Sequence, residues 1–343
     1  MAKITVMVGL QRVEEADLAK ITAVDPRVEV VHALYVDEVT RGWIGGRGDA
    51  PDSPRIKALE STFAERIGDT EVILGLRLPA NVTDLAPHLT WVHSFGAGID
   101  QMPFTSILSK GITITNSSGL SSPPIAEFCM GLVLMHAKRM VERIDIQRQH
   151  AWTRVVNLGL AGSTLGIVGP GHIGTEVARR AAAFDMRVLA TRRSFVPGAV
   201  TPYVDEVFPR ERMNEMLAQC DYVVVAVGLT DETRRMFGAA EFAAMKPGCF
   251  FINVARGSVV DEQSMVQALK DGPMGGAGLD VFEREPLPPE SELWDLPNVI
   301  ISPHNSAGTS GSLGRAFDFF CDNLSRYLKS EPMQNVIDPN KGY

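Results

Sequence analysis

The sequence predicts an α/β protein whose strands lie parallel in doubly wound sheets, and two observations carry that prediction. Over the first hundred residues, short apolar runs at Ile4 to Val8, Glu29 to His32, Val72 to Leu76 and Trp91 to Ser94 alternate with helical stretches such as Ile56 to Ile67. A second series runs through Thr164 to Val168, Arg187 to Thr191, Tyr222 to Val227, Phe250 to Val254, Gly276 to Val281 and Val299 to Ser302, again separated by helical patterns. Strands in that succession build a nucleotide-binding sheet.

Between the two series, Ile125, Phe128, Cys129, Leu132, Met135, His136 and Met140 recur at helical spacing, which predicts one long helix from Pro123 to about Arg148. Thr40 to Pro54 is rich in Gly, Pro and Asp and is expected to be an exposed loop, unless Trp43 and Ile44 pack on a partner subunit. Gly314 to Leu328 is expected to be helical and Val336 to Tyr343 extended.

The chain has 343 residues, 45% of them apolar and 22% charged, enough for roughly two domains with their own cores. Asp and Glu number 41 against 33 Lys and Arg, a formal charge of -8, so the electrostatic footprint of a general nucleic-acid binder is missing. No apolar run approaches the ~18 residues that span a bilayer, and the start at Met1 reads as a strand rather than a targeting segment. The expectation is a cytoplasmic protein with neither nucleic acid nor membrane as partner. Cys129, Cys220, Cys249 and Cys321 lie far apart without metal-ligand spacing, so inert buried thiols and no metal site are expected.

Leu165 to Val168 leads into Gly169-Pro170-Gly171-His172-Ile173-Gly174, and a helical pattern from Thr175 to Phe184 follows. Gly169 permits the tight turn, Gly171 lets backbone approach a pyrophosphate, and Gly174 allows close helix–strand packing. Glycine-rich turns also arise for steric reasons alone, but the strand before this one and the helix after it point to a dinucleotide. About 20 residues on, where NAD-binding folds place an acidic residue on the ribose hydroxyls, this chain has Arg192, followed by Arg193 and Ser194. Two cations and a hydroxyl suit a 2′-phosphate, so NADP(H) is the expected cofactor. If both arginines are merely solvated at a loop tip, NAD(H) is accepted as well.

Three later strands end in reactive side chains. Arg256 follows Phe251-Ile252-Asn253-Val254-Ala255, where a guanidinium can clamp a carboxylate and a carbonyl oxygen at once, or simply pair with Asp261 or Glu262. Glu285 follows Leu279-Asp280-Val281-Phe282, and His304 follows Ile300-Ile301-Ser302-Pro303. A carboxylate beside an imidazole favours the protonated ring and orients it, which suits an acid that donates to a developing alkoxide. Alone, His304 would be a satisfied loop histidine and Glu285 a solvated charge; the case rests on Arg256, Glu285 and His304 all following strands at one edge of the sheet.

The ordered segments Ser94-Phe95-Gly96-Ala97-Gly98-Ile99-Asp100, Ile125-Ala126-Glu127, the glycine-rich turn, Asn253 to Gly257, Leu279 to Phe282 with Glu285-Pro286, Pro303-His304, and Asn335 to Asp338 with Lys341-Gly342-Tyr343 resemble the D-isomer-specific 2-hydroxyacid dehydrogenase family. The resemblance covers nearly the whole chain. It implies two Rossmann-like domains, a substrate domain at 1–118 and 306–343, and a dinucleotide-binding domain at 119–305 inserted within it. It also implies that Arg256 binds the substrate carboxylate and keto oxygen, that His304 paired with Glu285 exchanges the proton, and that Ala97 and Gly98 N–H groups hold the carboxylate. Cofactor contacts are implied at Val227, Thr233, Val254, Ala255, Asp280 and Gly308, with Asp280 on the nicotinamide carboxamide. The chain departs from the family's usual pattern at Gly228 and in Asn305-Ser306-Ala307-Gly308.

The activity so implied is reduction of a small 2-keto acid to the D-2-hydroxy acid, glyoxylate or hydroxypyruvate foremost, by a homodimer. A phosphoglycerate dehydrogenase-like enzyme and a dinucleotide-sensing corepressor-like binding protein are the alternatives.

Overall fold

The apolar runs become parallel strands in two separate sheets. A computed structural model describes residues 3–46 and 50–338, so Lys341-Gly342-Tyr343 at the end of the matched pattern lie outside the described residues. The chain divides into two units, one made of residues 1–121 and 309–343, the other of residues 122–308.

In the first unit, strands β1 (Ile4–Gly9), β2 (Val28–His32), β3 (Val72–Gly75), β4 (Trp91–Ser94) and β5 (Thr113–Asn116) form a sheet in the order β2-β1-β3-β4-β5, every neighbouring pair parallel. Helices α1 (Glu15–Thr22), α2 (Glu38–Gly46), α3 (Pro54–Arg66), α4 (Val82–Leu85) and α5 (Phe104–Ser109) connect them. Burial on both faces explains the near-continuous apolar strands. The last helix of the chain, which packs in this unit, sets Phe317, Phe320 and Leu324 against Val6, Val8, Leu74 and Trp91. Beyond it Val336 bridges to Thr115, and Ile337 N–H donates to Ile114 O.

Part of the expected loop at Thr40 to Pro54 is helical. Asp37 Oδ1 accepts from Thr40 N–H at 2.8 Å and caps α2, while Ile44 is buried with Leu34, Ile56 and Leu59. That cap and that burial outweigh the poor helical propensity of Gly42 and Gly45. Ile44 therefore packs inside its own unit. Strand β5 escaped the sequence reading because Thr113-Ile114-Thr115-Asn116 is short, polar and at a sheet edge.

The second unit opens with α6 (Ser122–Ala137) and α7 (Met140–Arg148), not with one continuous helix. Arg139 adopts a left-handed conformation, φ 48°, and breaks the run. Arg143 Nε donates back to Lys138 O at 2.9 Å, satisfying a carbonyl at that break. The apolar periodicity runs past the break, but Met140, Val141 and Ile144 are exposed on α7, whereas Ala126, Cys129, Leu132 and Val133 of α6 are buried.

Seven strands follow: β6 (Thr164–Val168), β7 (Arg187–Arg192), β8 (Glu206–Pro209), β9 (Tyr222–Val225), β10 (Cys249–Asn253), β11 (Met274–Leu279) and β12 (Val299–Ile301), in the parallel order β12-β11-β10-β9-β6-β7-β8. The order reverses between β6 and β9, the switch point where such sheets bind ligands at the carboxyl ends of their strands. Helices α6 and α8 (His172–Ala182) cover one face, and α9 (Met213–Leu217), α10 (Ala239–Ala244) and α11 (Glu262–Asp271) the other. Helix α12 (Ser312–Leu328) is the one already described in the first unit. Edge strand β8, ended by Pro209, is the addition to the six strands expected. The cysteines are free thiols, and burial pushes Cys220 up to about 12 and Cys321 up to about 11. No helix among the described residues is long and apolar enough to cross a membrane.

His93 on β4 is fully buried, its Nδ1 2.6 Å from Thr115 Oγ1 and its Nε2 3.1 Å from Ser117 Oγ. Burial pushes the imidazole down to about 3. The unfolded chain takes up that proton near pH 6.5 and the folded chain does not, so stability falls as pH drops through the interval between about 3 and 6.5. Urea unfolding between pH 7 and 4 should show a slope that His93→Gln reduces by up to about 1.4 kcal/mol per pH unit. Identical slopes in the two proteins would remove His93 as the cause.

Candidate active site

At the end of β6 the chain turns through Gly169, φ 92°, and enters α8. A Cβ on Gly169 would lie 2.7 Å from Val227 Cγ1, and one on Gly174 would lie 2.4 Å from Gly169 O, so both glycines are required by packing. Gly171 differs: a Cβ there would meet nothing within 4 Å. Open space above that backbone, at the N-terminal end of an 11-residue helix, fits a pyrophosphate.

The turn after β7, where the sequence places the ribose, is tied by its own side chains. Arg192 Nε donates to Ser194 O at 2.7 Å, and Arg193 Nη1 lies 3.2 Å from Glu232 Oε2. On the other side of β6, Thr233 stitches the loop after β9: its hydroxyl donates to Gly228 O at 2.7 Å and accepts from Thr230 N–H at 2.8 Å. Val227 packs beneath the glycine turn, as the clash at Gly169 requires.

Arg256 follows β10, and the turn carrying it is tied by Asn253, a buried side chain that accepts from Ala255 N–H at 3.0 Å and donates to Arg256 O at 3.2 Å. The guanidinium itself donates to Ala255 O at 2.8 Å. Val254 and Ala255 are buried beneath it. Asp261 caps α11, and Glu262 accepts from Glu283 N–H at 3.1 Å. Burial pushes the Glu262 carboxyl upward.

Next to Arg256, Gly257 lies against the loop carrying Glu285. A Cβ on Gly257 would fall 1.8 Å from Phe282 C and 2.3 Å from Glu283 N. The overlapping atoms are backbone, so no side-chain rotation relieves it. Glu285 Oε1 accepts from Phe282 N–H at 3.1 Å, and Oε2 lies 2.7 Å from His304 Nδ1. A carboxylate only accepts, so Nδ1 carries the proton in this contact and Nε2 is the ring nitrogen that Glu285 does not hold.

His304 sits in a left-handed conformation, φ 51°, in a turn anchored by Asp280. Asp280 is 1% exposed, and its carboxylate accepts from Ser302 Oγ at 2.6 Å, Asn305 N–H at 2.7 Å and Ser306 N–H at 3.0 Å. Expected on the nicotinamide carboxamide, this carboxylate also takes these protein donors and so holds the His304 turn. Gly308 N–H donates to Asn305 O and closes the same turn. Asn253, Gly257 and Ser302 had no functional assignment from sequence; the available signal was small or amide residues next to strand ends. Ala97 and Gly98 follow β4 in the other unit. Their carbonyls accept from Asn116 Nδ2 and Ser94 Oγ, and among the described residues neither amide N–H has a partner.

The family model for the D-isomer specific 2-hydroxyacid dehydrogenase NAD-binding domain matches residues 130–306. The chain belongs to the D-isomer specific 2-hydroxyacid dehydrogenases. A glyoxylate reductase of Korarchaeum cryptofilum is 33% identical over 85% of this chain and 88% of its own, and one of Thermococcus gammatolerans is 37% identical over 80% and 84%. An NADPH-dependent glyoxylate/hydroxypyruvate reductase from Sinorhizobium meliloti, solved with NADP and sulfate, has a TM-score of 0.80 at 27% identity, covering 99% of this chain and 100% of its own. This dehydrogenase is therefore an NAD(P)-dependent oxidoreductase of hydroxy acids with two parallel-sheet α/β domains.

Gly257→Ala is expected to lower kcat by at least ~10²-fold, because displacing a reacting group by about an ångström has that effect. Steady-state kinetics alongside circular dichroism of the variant checks this. Near-normal turnover in a folded variant would show that the Glu285 loop tolerates displacement.

Proposed function

We propose that this dehydrogenase reduces a small 2-keto acid, glyoxylate or hydroxypyruvate, with NADPH preferred over NADH. The observation that carries the reaction is the 2.7 Å contact between His304 and Glu285 at the same sheet edge as Arg256 and the glycine-rich turn. The names of the similar reductases support the substrate class.

The dinucleotide, when bound, supplies the hydride. Arg256 holds the substrate carboxylate and its keto oxygen in a two-pronged grip, which polarises the carbonyl and fixes its orientation. His304 Nε2 gives its proton to that oxygen as negative charge develops there. Glu285 keeps the ring oriented and stabilises the imidazolium. The open amides of Ala97 and Gly98 are proposed as carboxylate donors.

Arg192 and Arg193 support the NADPH preference, since both cations stand where NAD-specific folds carry an acidic residue. A homodimer is proposed on the exposed apolar surface of the nucleotide unit: Met140, Val141 and Ile144 on α7, then Trp152, Val156 and Leu158, with Trp152 fully exposed.

Steady-state rates with glyoxylate, hydroxypyruvate, pyruvate and 3-phosphohydroxypyruvate, each with NADPH and NADH, test the reading. Glyoxylate or hydroxypyruvate should give the highest kcat/KM, NADPH should exceed NADH, and Arg192→Asp should move the ratio toward NADH. A best rate with the phosphorylated acid, or NADH equal to NADPH, would overturn the substrate or cofactor assignment respectively.

A further inference from the structure

The cation expected to meet a 2′-phosphate is already engaged with an acidic side chain. Glu232 stands in the loop after β9, and its Oε2 lies 3.2 Å from Arg193 Nη1 and 3.7 Å from Arg210 Nη1. Arg210 also donates through Nη2 to the Glu232 carbonyl. Since β6 lies between β7 and β9, this ion pair joins the loops on either side of the strand that carries the glycine-rich turn. Arg192, by contrast, folds onto its own turn through Ser194 O.

We infer that Glu232 limits the discrimination between phosphorylated and unphosphorylated dinucleotides by acting as the resident counter-ion of Arg193. This rests on the NADPH reading of the Arg192–Ser194 turn. A 2′-phosphate carries more negative charge than a carboxylate and offers three acceptor oxygens, so it displaces Glu232 from the guanidinium. The displaced carboxylate then faces a like charge across a short loop. A cofactor without the phosphate leaves the pair intact and meets no such opposition. Glu232 therefore weakens only the phosphorylated ligand. The side chains of Arg193 and Glu232 are 45% and 54% exposed, and a pair this exposed shifts an equilibrium by a factor of about two to five.

Calorimetric titration of the full-length protein with adenosine 2′,5′-bisphosphate and with 5′-AMP tests this without turnover, comparing the wild type with Glu232→Gln. The amide keeps the shape of the side chain and removes its charge. Binding of the bisphosphate should tighten by about two- to five-fold while that of 5′-AMP stays unchanged. If the wild type prefers the bisphosphate but the variant shows no selective gain, Glu232 has no such role and the NADPH reading survives. If the wild type shows no preference for the bisphosphate, the NADPH reading fails first, and this inference with it.

Discussion

One hydrogen bond, 2.7 Å between His304 Nδ1 and Glu285 Oε2, leaves Nε2 as the imidazole nitrogen proposed to exchange the proton, and the surrounding sheet edge holds that bond. Its two sides come from different strands. Glu285 is fixed from β11 through Phe282 N–H and through the backbone packed on Gly257; His304 is fixed from β12 by the buried Asp280 carboxylate. Removing any of these leaves both residues present but releases the geometry between them. Buried, fully bonded polar groups suit such a task, since an unpaired one would be costly.

The same sheet supplies the cofactor end by different physics. Gly169 and Gly174 are demanded by backbone contacts, while open space above Gly171 leaves helix amides accessible to an anion. The selectivity proposed at the ribose is electrostatic and sits on exposed side chains, where individual ion pairs are weak. On the proposed reading, orientation at the reacting centre is stiff, whereas cofactor choice is adjustable by single charges.

Much of this could be read from the sequence, for reasons tied to particular residues. Strand ends are legible because apolar runs stop there, which places Gly169, Arg256, Glu285 and His304 on one edge once the strands are parallel. Helix α2 was hidden by Gly42 and Gly45, since its stability comes from a cap on Asp37 and from burial of Ile44. The break at Arg139 was hidden by an apolar period that continues onto the exposed face of α7. Apart from Glu285 with His304, which the family resemblance implies, partnerships across the sheet could not be read. Asp280 with Ser306, and Arg193 with Glu232, lie 26 and 39 residues apart and meet only because of strand order.

The claim that Glu285 acts through His304 is tested most directly by a double-mutant cycle on kcat/KM for keto-acid reduction, using Glu285→Gln, His304→Asn and the two together. Loss of the imidazole alone should remove ~10²–10⁴-fold of the rate. If the pair works as a unit, the double variant is no slower than His304→Asn, because Glu285 has nothing left to orient. Losses that multiply in the double variant would show that the two side chains act independently, and would contradict the account.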